Sequence, residues 1–79
     1  MSISNKIRSA LSLGNKKQIE LSEYLGKSEQ TINYKFIKES WTASDLIRVA
    51  ELTGSKLAYI FPDGTQVVFS VADANPTHP

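Results

Sequence analysis

Cysteine is absent from the 79-residue chain, and histidine occurs once, at His78, beside the last residue of a proline-containing C-terminal stretch. These absences exclude disulfide staples and thiolate zinc sites. A lone histidine in such a stretch is also not held where it could complete a triad with Ser44 and Asp45. No apolar run approaches the ~18 residues of a membrane span, and residues 1 to 14 lack the continuous apolar segment of a signal peptide, so a cytoplasmic location is expected. A Gly-rich phosphate loop is missing as well, and the Asn75-Pro76-Thr77 triplet is no glycosylation acceptor because proline fills its middle position. Neither enzyme activity, metal, cofactor nor membrane partner is expected, which leaves binding as the function class.

At 41% hydrophobic and 22% charged residues the composition is that of an ordinary globular protein, and 8.7 kDa leaves room for one core. A single domain over residues 1 to 71 is expected, followed by a flexible tail over residues 72 to 79, which shows no periodicity. The net charge of +1 hides an asymmetry: residues 1 to 38 carry seven cations against three carboxylates, for +4, whereas residues 39 to 79 carry −3. A basic half of this kind points to a polyanionic partner.

Helical periodicity fills the first two thirds of the chain. Ile3, Ile7 and Leu11 recur every four residues, with Ser2 or Ser4 as the cap and Gly14 as the end of the first helix. Asn15 and Gln18 read as a capping pair opening a second helix that turns Ile19, Ser22 and Leu25 inward, with Leu21 alongside, and stops at Gly26. Ser28 is an N-cap for a third helix with Ile32 and Phe36 inward. Thr42 with Asp45 three residues on opens a fourth, which carries Leu46, Ile47, Val49, Ala50 and Leu52 and runs to Gly54. The large side chains, Trp41 among them, are expected in the core.

Beyond Gly54 the period shifts to two. Residues 56 to 61 and 65 to 71 are rich in β-branched and aromatic side chains, and Pro62-Asp63-Gly64 between them has the chemistry of a three-residue hairpin loop. That loop pairs Phe61 with Thr65, Tyr59 with Val67 and Leu57 with Phe69, and it places these residues, apart from Thr65, on a face assigned to the helices. The expected architecture is mainly α: four helices followed by a β-hairpin over residues 56 to 71.

The two short helices flanking Gly26 form a helix-turn-helix: Ser22 lets them approach, Gly26 permits a left-handed turn, and Leu21, Leu25 and Ile32 lock the crossing. The segment Leu25-Gly26-Lys27-Ser28-Glu29-Gln30-Thr31-Ile32 closely resembles the Cro/Xre-type helix-turn-helix of lambda-repressor-like DNA-binding domains, a likeness covering residues 3 to 54. It implies that the third helix enters the major groove of double-stranded DNA and that Gln18 holds a phosphate and braces that helix. It also implies a transcriptional regulator, most often a repressor, of phages, mobile elements or toxin-antitoxin operons. The sequence departs from the family pattern in carrying Lys35 before its aromatic Phe36, and in ending on a hairpin instead of a fifth helix.

At ~100° per residue, the buried stripe of Ile32 and Phe36 turns Gln30, Thr31, Asn33, Tyr34 and Lys38 outward. Gln30 and Asn33 can pair bidentately with adenine, the Thr31 methyl or the Tyr34 ring can pack on thymine, and Glu29 can accept from a cytosine amino group. Lys17, Lys27, Lys35 and Lys38, with the backbone N–H groups after Asn15 and Ser28, are the expected phosphate contacts. Ile37 is left exposed by this phase. Ala58, Ile60 and Val68 give the hairpin a second apolar face, so a homodimer on a palindromic operator is expected. Its interface comprises Ala58, Ile60, Gln66, Val68 and Ser70, with residues 66 to 71 pairing edge to edge across the two-fold axis. The alternative is a protein-binding module on the same scaffold, an antitoxin or an inhibitor of a phage or host protein.

Overall fold

Short polar side chains that fold back onto the backbone fix where most of the helices begin. The computed structural model describes residues 2 to 74. Its helices are α1 (Ile3–Leu13), α2 (Gln18–Leu25), α3 (Glu29–Lys38) and α4 (Ala43–Thr53), followed by the strands β1 (Leu57–Ile60) and β2 (Gln66–Phe69). Ser2, Ser28 and Thr42 each accept a hydrogen bond from the N–H three residues on, at 3.1 Å in every case. Asp45 completes a reciprocal box by accepting from Thr42 N at 3.0 Å.

The start of α2 differs from the expectation. Asn15 is not its cap: at φ 58° it is the left-handed residue that terminates α1, with Asn15 N donating to Ser12 O and Lys16 N to Leu11 O. Asparagine tolerates this conformation better than most residues. Lys17 takes the cap position, and Glu20 accepts from its N–H at 3.2 Å. Ile19 is accordingly exposed, and Leu21, Ser22 and Leu25 form the inward face. Gly26 lies between α2 and α3 at φ 68°, a backbone state that costs other residues about 1 kcal/mol or more. Gly14 is needed for a different reason, since a Cβ there would lie 2.7 Å from Thr53 Cβ on α4.

The core joins Ile7 and Leu11 of α1, Leu21 and Leu25 of α2, Ile32 and Phe36 of α3, and Val49 of α4, with Ala10, Tyr24, Trp41, Leu46 and Leu52 packed on its margin. Phe36 meets Trp41 edge to face at 4.8 Å between centroids, and the Arg8 guanidinium lies 4.7 Å from the Phe36 ring centre on the same residue.

A polar staple ties the beginning of α1 to the end of α3. Buried Ser4 donates its hydroxyl to the Phe36 carbonyl oxygen at 2.7 Å and accepts from Trp41 Nε1 at 3.0 Å. Phe36 lies in the last turn of α3, where carbonyls lack intrahelical donors, so Ser4 supplies the missing partner. In return Glu39, left-handed at φ 57°, accepts from the N–H groups of Ile3 and Ser4 at 3.0 and 3.3 Å. Desolvation is the largest single effect on the Glu39 carboxyl and opposes its ionisation, but the hydrogen bonds from Ser4, Ser2 and Ile3 together outweigh it and hold the group below its ordinary value. Cap and acceptor thus fix α3 at the end opposite its own N-cap.

The hairpin has the register expected from its loop: Leu57 opposite Phe69, Ala58 opposite Val68, Tyr59 opposite Val67 and Ile60 opposite Gln66. Phe61 N donates to Thr65 O at 2.8 Å. Gly64 takes φ 90°, and Asp63 accepts from Thr65 N at 2.9 Å, a bond that holds its carboxyl below the ordinary range. The covering of its inner face is where expectation and structure part. Leu57 and Phe69 at the hairpin base approach Leu46 and Ile47 of α4 across a cleft of about 220 Å³, whereas Tyr59, Phe61 and Val67 further out are exposed. Four helices of this length reach only the first pair of the face.

The chain also leaves the sheet earlier than expected. β2 ends at Phe69, and Val71–Asp73 forms a 3₁₀ turn that lies against α4. Ser70 donates its N–H to Asp73 Oδ2 at 2.9 Å and so starts that turn instead of extending the strand. The 3₁₀ turn falls on the first residues of the segment expected to be a tail, and residues 75 to 79 lie outside the described residues.

Candidate nucleic-acid interface

Because Ile32 and Phe36 are drawn into the core and the ends of α3 are fixed by Ser28 and by the Ser4–Glu39 staple, one face of α3 is presented to solvent in a fixed orientation. Glu29, Gln30, Thr31, Asn33, Tyr34, Ile37 and Lys38 are all exposed. Among the described residues the side chains of Glu29, Gln30, Asn33, Tyr34 and Lys38 have no hydrogen bond or ion pair. Their donors and acceptors are therefore available to a ligand without first breaking an internal bond. Thr31 is committed in part, since its hydroxyl lies 2.9 Å from Ser28 Oγ, which leaves its methyl as the free group. The Ser28 hydroxyl is likewise occupied in capping Thr31 N at 3.1 Å. The first N–H groups of α3, at Glu29 and Gln30, are unpartnered among the described residues and carry the positive end of the helix dipole.

The expected phosphate ligands divide into two groups. Lys17, Lys27 and Lys38 are exposed, and no ion pair holds them among the described residues. Lys35 is different. Its ammonium lies 2.9 Å from Asp45 Oδ2, donates to the Ser40 carbonyl at 3.3 Å, and the two charged side chains are only 16% and 14% exposed. Since Asp45 also caps α4, Lys35 links the end of α3 to the start of α4 and is a structural brace here, not a free cation.

A cleft of about 420 Å³ opens between the end of α1 and the start of α2, lined by Arg8, Lys16, Lys17 and Gln18 over Leu11 and Phe36. Gln18, at the first position of α2, therefore sits beside three cations. Arg8 is not expected from the sequence, and Lys16 only as one of the lysines of residues 16 to 38. The Lys16-Lys17 doublet was the visible signal, but the approach of Arg8 depends on how α1 crosses α2.

The expected interface residues of the hairpin are also exposed for the most part. Ile60 is 70% and Val68 43% exposed, with Gln66 beside them and Ala58 half-buried. Ser70 is engaged with Asp73 and does not belong to the open strand edge. Among the described residues no helix is long and apolar enough to cross a membrane, and no group of three or more His, Asp or Glu side chains is gathered as a metal site. Compared with known proteins, the chain matches no family model, no curated protein and no solved structure.

Proposed function

We propose that this protein is a sequence-specific, double-stranded-DNA-binding transcriptional regulator of Cro/Xre type, acting as a dimeric repressor that occludes its operator. The observation that carries the reading is the rigidly held outward face of α3. Two unpaired amides, Gln30 and Asn33, and the Tyr34 ring stand on one side of a helix whose opposite side is core, with exposed Lys27 before it and Lys38 at its end. Amide side chains match the donor–acceptor pair of adenine in the major groove, and lysines supply the sequence-independent phosphate attraction. The cationic cleft at the start of α2 adds a second phosphate contact through Lys17 and Gln18, supported by Arg8 and Lys16.

Dimerisation through the hairpin completes the mechanism. Tyr59, Ile60, Phe61, Val67 and Val68 expose apolar surface on both faces of a two-stranded sheet, which is marginal on its own in water. Pairing β2 with its symmetry mate through residues 66 to 69 makes a four-stranded sheet. Two copies of α3 then meet successive major grooves about 34 Å apart on a palindrome.

The test is a fluorescence-anisotropy titration of the folded protein against its own upstream region. With about 6 phosphates neutralised per dimer, log K should fall against log salt with a slope near −5. The absence of binding at low salt would refute the reading. The same exposed hairpin favours a second reading, a module that binds a protein through that sheet. Sedimentation separates the two: a dimer that Val68→Lys dissociates supports the repressor, and a monomeric wild type supports the protein-binding module.

A further inference from the structure

Ile37 takes no part in the buried core. It is 66% exposed and lies outside the helical core and its margin. Its place on α3 is nevertheless specific: at about 100° per residue it falls within about 60° of Gln30, Asn33 and Tyr34, in the middle of the outward face. Tyr34, 58% exposed, stands three residues before it. Two apolar side chains are therefore set among two free amides, with Lys38 beside Ile37 and Lys27 beyond the opposite end of the helix.

The base edges of the major groove offer one apolar group, the C5-methyl of thymine, and short aliphatic side chains pack against it. We propose that Ile37 reads the methyl group of one thymine in each half-site, so that it is a specificity-determining residue of the α3 surface. This inference rests on the DNA-binding reading given above. Ile37 lies seven residues beyond Gln30, about 10 Å along the helix axis, or about three base steps. The preferred half-site should therefore carry adenine toward the Gln30 end and thymine about three base pairs away, toward the Ile37 end. The flanking lysines are complementary to a phosphate backbone and favour nucleic acid over an apolar protein groove as the occupant.

The experiment starts from duplexes that the wild-type protein selects out of a randomised pool. Each thymine of the preferred site is replaced in turn by uracil, which removes only the methyl, and binding of wild type, Ile37→Ala and Gln30→Ala is measured by anisotropy. One uracil position per half-site should weaken wild type about fourfold, the equivalent of one methyl group left unburied. Ile37→Ala should bind the thymine and uracil duplexes alike, while Gln30→Ala keeps the uracil penalty. Ile37→Ala should also melt as wild type does, and an early melt would overturn the inference by making Ile37 a packing residue. If no uracil weakens wild type, or if the penalty survives in Ile37→Ala, the inference falls and the DNA reading stands. If the folded protein selects no sequence, both fall together.

Discussion

Replacing Ser4 by alanine is expected to destabilise the fold far more than the loss of one hydroxyl would ordinarily do. Ser4 is 1% exposed, and its oxygen lies between the Phe36 carbonyl at 2.7 Å and Trp41 Nε1 at 3.0 Å. Without it the carbonyl is left in the interior with no donor, at a cost of about 1–3 kcal/mol. The indole N–H is only half-buried and can turn to water, so it adds about 0.5 kcal/mol. A total of about 1.5–3.5 kcal/mol corresponds to a fall in Tm of about 6–28 °C for a domain of this size. Ser22→Ala is the control. Ser22 is also buried, but its hydroxyl donates to Ile19 O within its own helix at 2.7 Å, and the better helix propensity of alanine offsets that local bond to within about 0.5 kcal/mol. Thermal unfolding followed by circular dichroism compares the two variants. Equal losses, or a Ser4→Ala loss below about 0.5 kcal/mol, would show that the staple between α1 and α3 does not hold the fold.

Three further outcomes follow from the structure. The Glu39 carboxyl is held below its ordinary value of 4.5, so its contribution is present above the unfolded value and is lost as pH falls through the lower folded one. The difference in Tm between wild type and Glu39→Gln should therefore be constant near neutral pH and close on acidification below about 4.5; a gap that widens there would contradict the assignment. Lys38→Ala removes two symmetry-related phosphate contacts from the dimer, so it should reduce the slope of log K against log salt by about 2 while leaving Tm unchanged. Lys35→Ala should lower stability by about 1 kcal/mol, because Asp45 loses its partner, with little change of slope. Salt titrations paired with melts of both variants separate the two roles.

Features set by neighbours in sequence were legible. Ser28 and Thr42 cap their helices because each needs only the N–H three residues on, and the hairpin register follows from Pro62-Asp63-Gly64 and alternation. Asn15 is ambiguous in the sequence because asparagine serves equally as an N-cap and as a left-handed helix end. The choice between these is made by the Lys16 N–H reaching Leu11, which composition does not reveal, and with it went the orientation of Ile19. The staple of Ser4, Phe36, Trp41 and Glu39 joins residues more than thirty positions apart, where no local pattern operates. Lys35 reads as one more cation of a basic stretch until α4 brings Asp45 beside it. Alternation named the inner face of the hairpin correctly, but it carries no information on how far α4 extends beneath that face, so Tyr59 and Val67 were assigned a cover that only Leu57 and Phe69 partly receive.

On the DNA-binding reading proposed above, Gln30 is the first residue of α3 to test, because its side chain is exposed opposite the buried Ile32 and Phe36. The most direct measurement is the affinity of wild type and Gln30→Ala for the preferred operator and for random DNA at one fixed salt concentration. Gln30→Ala should lose about 1–3 kcal/mol on the operator and much less on random DNA, with Tm unchanged. An equal loss on both duplexes, or no loss on either from a fully folded variant, would contradict that reading.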